Sequence, residues 1–153
     1  MSERFLRLWL RVTYLFFLLQ GLYWVVTGSF DPFGLWDHLA GQALYGGELP
    51  PDAVRFKRLS ISLLGATNAA FWLLCLILLE IPLAKNERWA IKALWAGLLL
   101  WFAIDSTSSL VQGATFNFLL VNLPCLVLAG VPLLLLGRQI ERNLPSADSA
   151  SSR

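Results

Sequence analysis

One carboxylate stands inside an otherwise uncharged apolar run, Asp105, flanked by Trp101-Phe102 and Ser106. A charge near the centre of a membrane helix costs about 2.5–3.5 kcal/mol on insertion scales, so it demands a partner or a proton. At the ideal helical repeat Leu94, Leu98, Trp101, Ser108, Ser109 and Gln112 lie within roughly 40–60° of it, a face apolar at one end and polar at the other. At about 1.5 Å per residue, Gln20, Asn68, Asp105 and Asn122 all fall roughly 9–15 Å below the same boundary and could form one polar cluster. Asn68 shares its face with Gly65, Trp72 and Cys75, a small residue and an aromatic wall beside an amide, like the lining of a small pocket. The chemistry open to this set is binding, with hydrogen bonds and one ionisable group in apolar surroundings. The same groups also serve as glue, since intramembrane amides and hydroxyls join helices by bonds worth about 0.6–2 kcal/mol. A protonated Asp105 bonded to Asn68 is sufficient for that role.

His38 is the only histidine, read either as a solvated loop residue or as a general acid or base at a pocket mouth. A lone histidine excludes bis-histidine haem ligation within one chain and any multi-histidine cage, so no metal site is expected. Cys75 and Cys125 lie in apolar runs at estimated depths of roughly 25 Å and 13 Å from the same boundary. They read as packing residues rather than a redox pair or zinc ligands. No nucleophile and base fall at a recognisable spacing and no glycine loop could cradle a phosphate, so the reading leans away from an enzyme. Catalytic residues and cofactors are left unassigned.

The elements that must position these groups follow from composition. Of 153 residues 57% are hydrophobic and 14% charged, and the mean hydropathy is +0.62. A water-soluble domain carries about a quarter charged residues, so this surface faces lipid. Runs long enough to cross roughly 30 Å of hydrocarbon extend from Val12 to Phe30, Leu59 to Leu79, Ala93 to Val111 and Phe116 to Leu136. The expected fold is all-α, a four-transmembrane-helix bundle forming a single domain over 1–142, with a disordered polar tail over 143–153. Arg4, Arg7, Arg11, Lys85, Arg88, Lys92, Arg138, Arg142 and Arg153 gather on one side against Arg55, Lys57 and Arg58 on the other. Both termini are therefore expected in the cytoplasm. Trp9 and Trp89 fall at the inner boundary, and Tyr23, Trp24 and Trp36 near the outer one. Scattered basic residues and a net charge of +2 argue against nucleic acid as a partner.

The first loop, from about Ser29 to Pro51, is long enough to hold structure. Asp31 is expected to cap a short amphipathic helix with Pro32 at its first position. One side carries Phe33, Leu35, Trp36, Leu39, Ala40, Ala43 and Leu44, and the other Asp37, His38, Gly41 and Gln42. Gly46-Gly47 ends it and Pro50-Pro51-Asp52 starts the next helix. Ser62, Ala66 and Ala70, and Gly65 with Ala69, form small-residue stripes that permit close packing, within the chain or between chains. Pro124 and Pro132 are expected to kink the fourth span and free backbone carbonyls.

The stretch Glu87-Arg88-Trp89-Ala90, then Trp101-Phe102, Asp105-Ser106, Ser109, Gly113, Asn117 and Asn122 resembles a pattern in small uncharacterised bacterial four-helix integral membrane proteins that are loosely similar to DoxX-like proteins. The resemblance covers roughly Leu59 to Leu136. It implies a four-helix inner-membrane protein, sometimes a partner in redox or thiosulfate-related assemblies; no cofactor signature in this chain accompanies it, so only the architecture is carried over.

Two functions are weighed ahead of an enzyme and of a transporter or channel, which a single intramembrane acid could serve only if several copies assembled. In one, Asp105, Asn68, Gln20, Asn122, Trp101, Trp72 and Ser109 line a polar pocket in the outer half of the bundle for a hydrophobic, lipid- or quinone-like ligand, with Trp36 and His38 on its lid. In the other, the chain is a structural or accessory subunit, or an assembly factor, held to a larger membrane protein or to further copies of itself by its small-residue face and tryptophan belts.

Overall fold

The structure, a computed structural model, describes residues 1–142; the polar tail expected over 143–153 lies outside the described residues. Five helices follow one another: α1 Glu3–Thr27, α2 Leu35–Tyr45, α3 Pro51–Glu80, α4 Arg88–Val111 and α5 Thr115–Arg142. No strand occurs among the described residues. All but α2 are long and apolar enough to cross a membrane, so the chain is an all-α multi-pass membrane protein.

The first span begins at Glu3 rather than Val12 and ends before Phe30. Ser2 caps it, its hydroxyl accepting from the Phe5 N–H at 3.3 Å. Basic residues are good helix formers, and here they find partners beyond the apolar run. Arg7 donates to the Glu3 carboxylate at 2.7 Å, to the Leu83 carbonyl at 2.9 Å and to Asn86 Oδ1 at 3.1 Å. Arg11 forms a two-bond pair with Glu80 at 2.6 and 2.7 Å. At its other end α1 stops where Gly28 adopts a left-handed φ of 62° and donates its N–H to the Trp24 carbonyl, which places Phe30 in the loop.

The amphipathic segment forms, with two corrections. It starts at Leu35, because Gly34 is left-handed (φ 69°) and breaks any helix from Pro32. Its buried stripe also coincides only in part with its apolar one, at Trp36, Leu39 and Ala40. Ala40 and Gly41 are buried and Trp36 and Asp37 half-buried, while Leu35, Ala43 and Leu44 are exposed and Phe33 is 92% exposed. An ion pair between Asp37 and Lys57 of α3 turns the helix this way. Gly41 allows it, since a Cβ there would strike the Gly47 carbonyl.

In α5, residues Phe118–Asn122 form a π-helical turn, closed by the Leu123 N–H donating to the Phe118 carbonyl. Pro124 follows immediately and has no N–H to give, so the ladder widens ahead of it. Pro132 lies within the helix and is buried.

The closest approach in the bundle is between α1 and α3. A Cβ on Gly65 would sit 2.6 Å from the Gly21 carbonyl oxygen, and one on Gly21 would sit 2.7 Å from the Ala69 nitrogen. Gly65 and Ala69 therefore serve packing within the chain, whereas Ala66 and Ala70 of the neighbouring stripe are exposed. α1 also packs on α5, and α5 on α4, but α3 and α4 touch only lightly. Leu6, Leu10 and Tyr14 of α1 meet Trp72, Cys75 and Leu79 of α3, Leu94 and Leu98 of α4, and Cys125, Ala129 and Leu133 of α5 in one core. Both cysteines are free and buried there.

Replacing Gly65 by Leu forces backbone from backbone and is expected to cost about 1–3 kcal/mol or more. Ala66→Leu, on the exposed face, is expected to stay within about 0.5 kcal/mol. Unfolding in mixed micelles with rising dodecyl sulfate checks both.

Candidate ligand-binding site

Because α3 and α4 diverge, their ends beside α2 leave space, and so do α1 and α5 at the same end. α2 lies across both openings. The segment before it is fixed by Asp31, whose carboxylate accepts from the N–H groups of Phe33 at 2.9 Å, Leu35 at 3.0 Å and Trp36 at 2.9 Å. Burial pushes this carboxyl up, but the bonds from Trp36, Leu35, Phe33 and Gly34 outweigh it and hold the group below its ordinary value. So Asp31 does cap α2, from four residues ahead of its first residue rather than from the adjoining position.

A file of aromatic rings runs beneath α2. Trp24 meets Phe30 edge-on with ring centres 4.6 Å apart, Phe30 lies 4.4 Å from Trp36, and Trp36 meets Phe116 edge-on at 5.7 Å. The Trp24 indole donates to the Phe30 carbonyl at 2.9 Å, which fixes the loop against α1. Amphipathic rings of this kind pack over large apolar areas while keeping one polar handle. The file crosses from α1 to α5, with a cavity on either side of the Phe30–Trp36 pair.

The first cavity, about 700 Å³, is bounded by Gln20 and Trp24 of α1, by Phe33, Leu35, Trp36, His38 and Leu39 around α2, and by Phe116, Leu120 and Val121 of α5. The second, about 480 Å³, lies between α3 and α4 and is bounded by Phe56, Lys57, Ser60, Ile61 and Leu64 on one side and by Asp105, Ser108, Ser109 and Gln112 on the other. Both volumes fall in the range of small-molecule sites, roughly 300–1,000 Å³.

One network links α2 to the second cavity. The Trp36 indole donates to Asn117 Oδ1 at 3.3 Å, and Asn117 Nδ2 donates to Ser109 Oγ at 2.9 Å and to Asp105 Oδ2 at 3.3 Å. Asn117 stands on the first turn of α5, where it meets the polar end of the α4 face. Beside this, Asp37 of α2 pairs with Lys57 of α3, so α2 is tied directly to α5 and α3, and through Asn117 to α4.

The expected single cluster is thus divided. Asp105, Ser109 and Trp36 come together through Asn117. Gln20, Trp36 and His38 share the first cavity, with His38 exposed at its edge. Asn68 does not meet Asp105: its amide donates to the Phe17 carbonyl at 3.1 Å and its Oδ1 accepts from the Trp72 indole at 3.0 Å, joining α1 to α3. Trp72 stacks on Phe17 with ring centres 4.8 Å apart and lies in the core. Asn122 is fully buried and donates to Ser106 Oγ at 3.2 Å, between α5 and α4. Trp101 is half-buried against the core. Asn68, Trp72, Asn122 and Trp101 are therefore placed within or against helix contacts, outside the residues that bound the two cavities.

Sequence reasoning did not place Asn117, Phe30, Phe116 or Lys57 in the site. Asn117 lies one residue inside the expected start of the fourth span, and counting depth from that boundary favoured the deeper Asn122. An indole N–H on the lid, needing an acceptor when half-buried, was the available signal for it. Compared with known proteins, the chain matches no family model, no curated protein and no solved structure.

With its carboxyl held below the ordinary value, Asp31 contributes its full stabilisation above the unfolded-state pKa of about 3.9. That contribution is lost as the pH falls through the lower, folded value. Hydrogen exchange over 35–45, normalised to intrinsic rates, is expected to show protection that is level from neutral pH down to about 4 and that fails below it. Asp31→Asn is expected to lower protection at neutral pH and to remove that acid step.

Proposed function

We propose that this protein binds a hydrophobic, amphipathic molecule of lipid- or quinone-like character at the α2 end of its bundle, with α2 as the cover. The observation that carries this reading is the pair of cavities on either side of Phe30 and Trp36, one of them reached by Gln20 and the other by the carboxylate of Asp105. A bundle optimised only for helix contact fills such space with side chains. Here the aromatic file, the Asp31 cap and the Asp37–Lys57 pair all hold a lid over it instead. Exposed apolar residues at the edge of the first cavity, Phe33 at 92% and Leu120 at 58%, support entry from the bilayer rather than from water.

The proposed setting is the inner, plasma membrane with both termini cytoplasmic. Arg4, Arg7, Arg11, Lys85, Arg88, Lys92, Arg138 and Arg142 then lie inside, in accord with the retention of basic residues there. α2 and both cavities fall in the outer half. The relationship to DoxX-like proteins is proposed on the Trp101-Phe102, Asp105-Ser106 and Asn117 pattern, and concerns architecture alone. As an accessory subunit, the chain would need a contact face other than Gly65 and Ala69, which α1 already covers.

Mass spectrometry of the protein purified in mild detergent tests the proposal. A small apolar molecule is expected to accompany the wild type and to be reduced at least about tenfold, a loss of roughly 1.4 kcal/mol in binding, in Asp105→Ala and in Trp36→Ala. A copurifying partner chain with no small molecule in any sample would overturn it in favour of the accessory-subunit reading.

A further inference from the structure

The charge around the second cavity has a sign. Its charged lining residues are Asp105 and Lys57. Lys57 is already engaged by Asp37, whose carboxylate comes from the lid. Asp105 is half-buried and has no cationic partner among the described residues. It receives one N–H, from Asn117, at the long distance of 3.3 Å. The cavity therefore carries one acidic side chain without a cationic partner among the described residues, an arrangement that favours a positive charge or a strong donor beside it. An anion placed there would face repulsion from Asp105 with no free cation to offset it. A purely apolar molecule would strip water from the carboxylate and give nothing in return.

The rest of the wall fits the same guest. The paired rings of Phe30 and Trp36, with centres 4.4 Å apart, border this cavity as well as the first, and ring faces attract ammonium groups. Ser109 and Asn117 offer hydroxyl and amide oxygens beside the carboxylate. A volume of about 480 Å³ holds a small head group with part of an apolar chain.

We infer that the second cavity binds the positively charged head group of an amphipathic alkylammonium compound, with Asp105 as the counter-ion. This rests on the proposed function and narrows it. The shared chemistry is an ammonium on an apolar tail, carried either by a free lipophilic amine or by an ethanolamine lipid.

The test is titration calorimetry on the full chain in phosphatidylglycerol nanodiscs, with empty discs subtracted. The probes are decyltrimethylammonium, decanol and decanoate, which are cationic, neutral and anionic on one chain length. Decyltrimethylammonium is expected to bind at least about tenfold more tightly than decanol, a difference of one decade in Kd, and decanoate the least. Asp105→Asn, which keeps the shape and removes a membrane charge, is expected to bring the cation to the level of decanol while decanol binding is unchanged. Asp105→Glu is expected to retain the preference. Equal binding of cation and decanol by the wild type, or an undiminished preference in Asp105→Asn, would overturn the inference and leave the proposed function standing. Failure of all three probes to bind would overturn both. Repeating the titration in discs containing phosphatidylethanolamine separates the sources: competition identifies the lipid head group, and its absence a free amine.

Discussion

α1 and α3 meet backbone against backbone at Gly21 and Gly65, and the remaining helices are placed around that contact. In lipid there is no hydrophobic force between apolar helices, so association depends on close packing and on hydrogen bonds. Two glycines at one crossing bring carbonyls and amides to distances that any side chain would prevent. Asn68 adds a bond from α3 to the Phe17 carbonyl of α1, and Arg11 with Glu80 closes the same pair at the end bearing the termini. With α3 held so firmly to α1, little of its surface is left for α4. The space that results beside α2 is a consequence of where the strong contact lies.

The end bearing the termini and the end bearing α2 are built differently. At the first, Arg7 ties α1 to the turn after α3 through Leu83 and Asn86, and Gln139 of α5 donates to the Met1 carbonyl at 2.6 Å. The helices there close on a dry core of Leu6, Leu10, Leu79 and Leu133. At the second, the joints are long-range polar contacts through a cover helix: Trp36 to Asn117 and Asp37 to Lys57. The same end contains the π-helical turn, where the α5 ladder is already interrupted by Pro124.

Polar groups within the bundle fall into two kinds. Asn68, Trp72 and Ser106 each have a partner on a neighbouring turn or helix, and their role is cohesion. Asp105 has a distant amide and an open cavity, and Asp37 has one oxygen on Lys57 while the other is buried without a partner. Buried polar atoms left unpaired cost about 1–3 kcal/mol each, and Asn122 Oδ1 and Gln139 Oε1, both at helix contacts, are left so as well. Asn68 and Asp105 fall in the same range of estimated depth, yet the first is spent on a contact between α3 and α1 and the second borders a cavity.

Much of the architecture was legible in the sequence because it depends on properties local to one helix. Apolar length gave the four spans, Gly46-Gly47 and Pro50-Pro51 gave the end of α2 and the start of α3, and the 3.6-residue repeat put Asp105 and Ser109 on one face of α4. What periodicity does not contain is which helix a given face meets. Asn68 and Asp105 fall in one range of estimated depth, yet α3 turns the first toward α1, and the light α3–α4 contact leaves the second facing a cavity. The rotation of α2 was likewise decided by a charge pair with Lys57 and by the room at Gly41, and not by its own apolar stripe alone. Sequence determined the helices and their order. Tertiary packing alone decided their neighbours, because azimuth about the bundle is set by the closest backbone contact, and that contact lies between residues far apart in the chain.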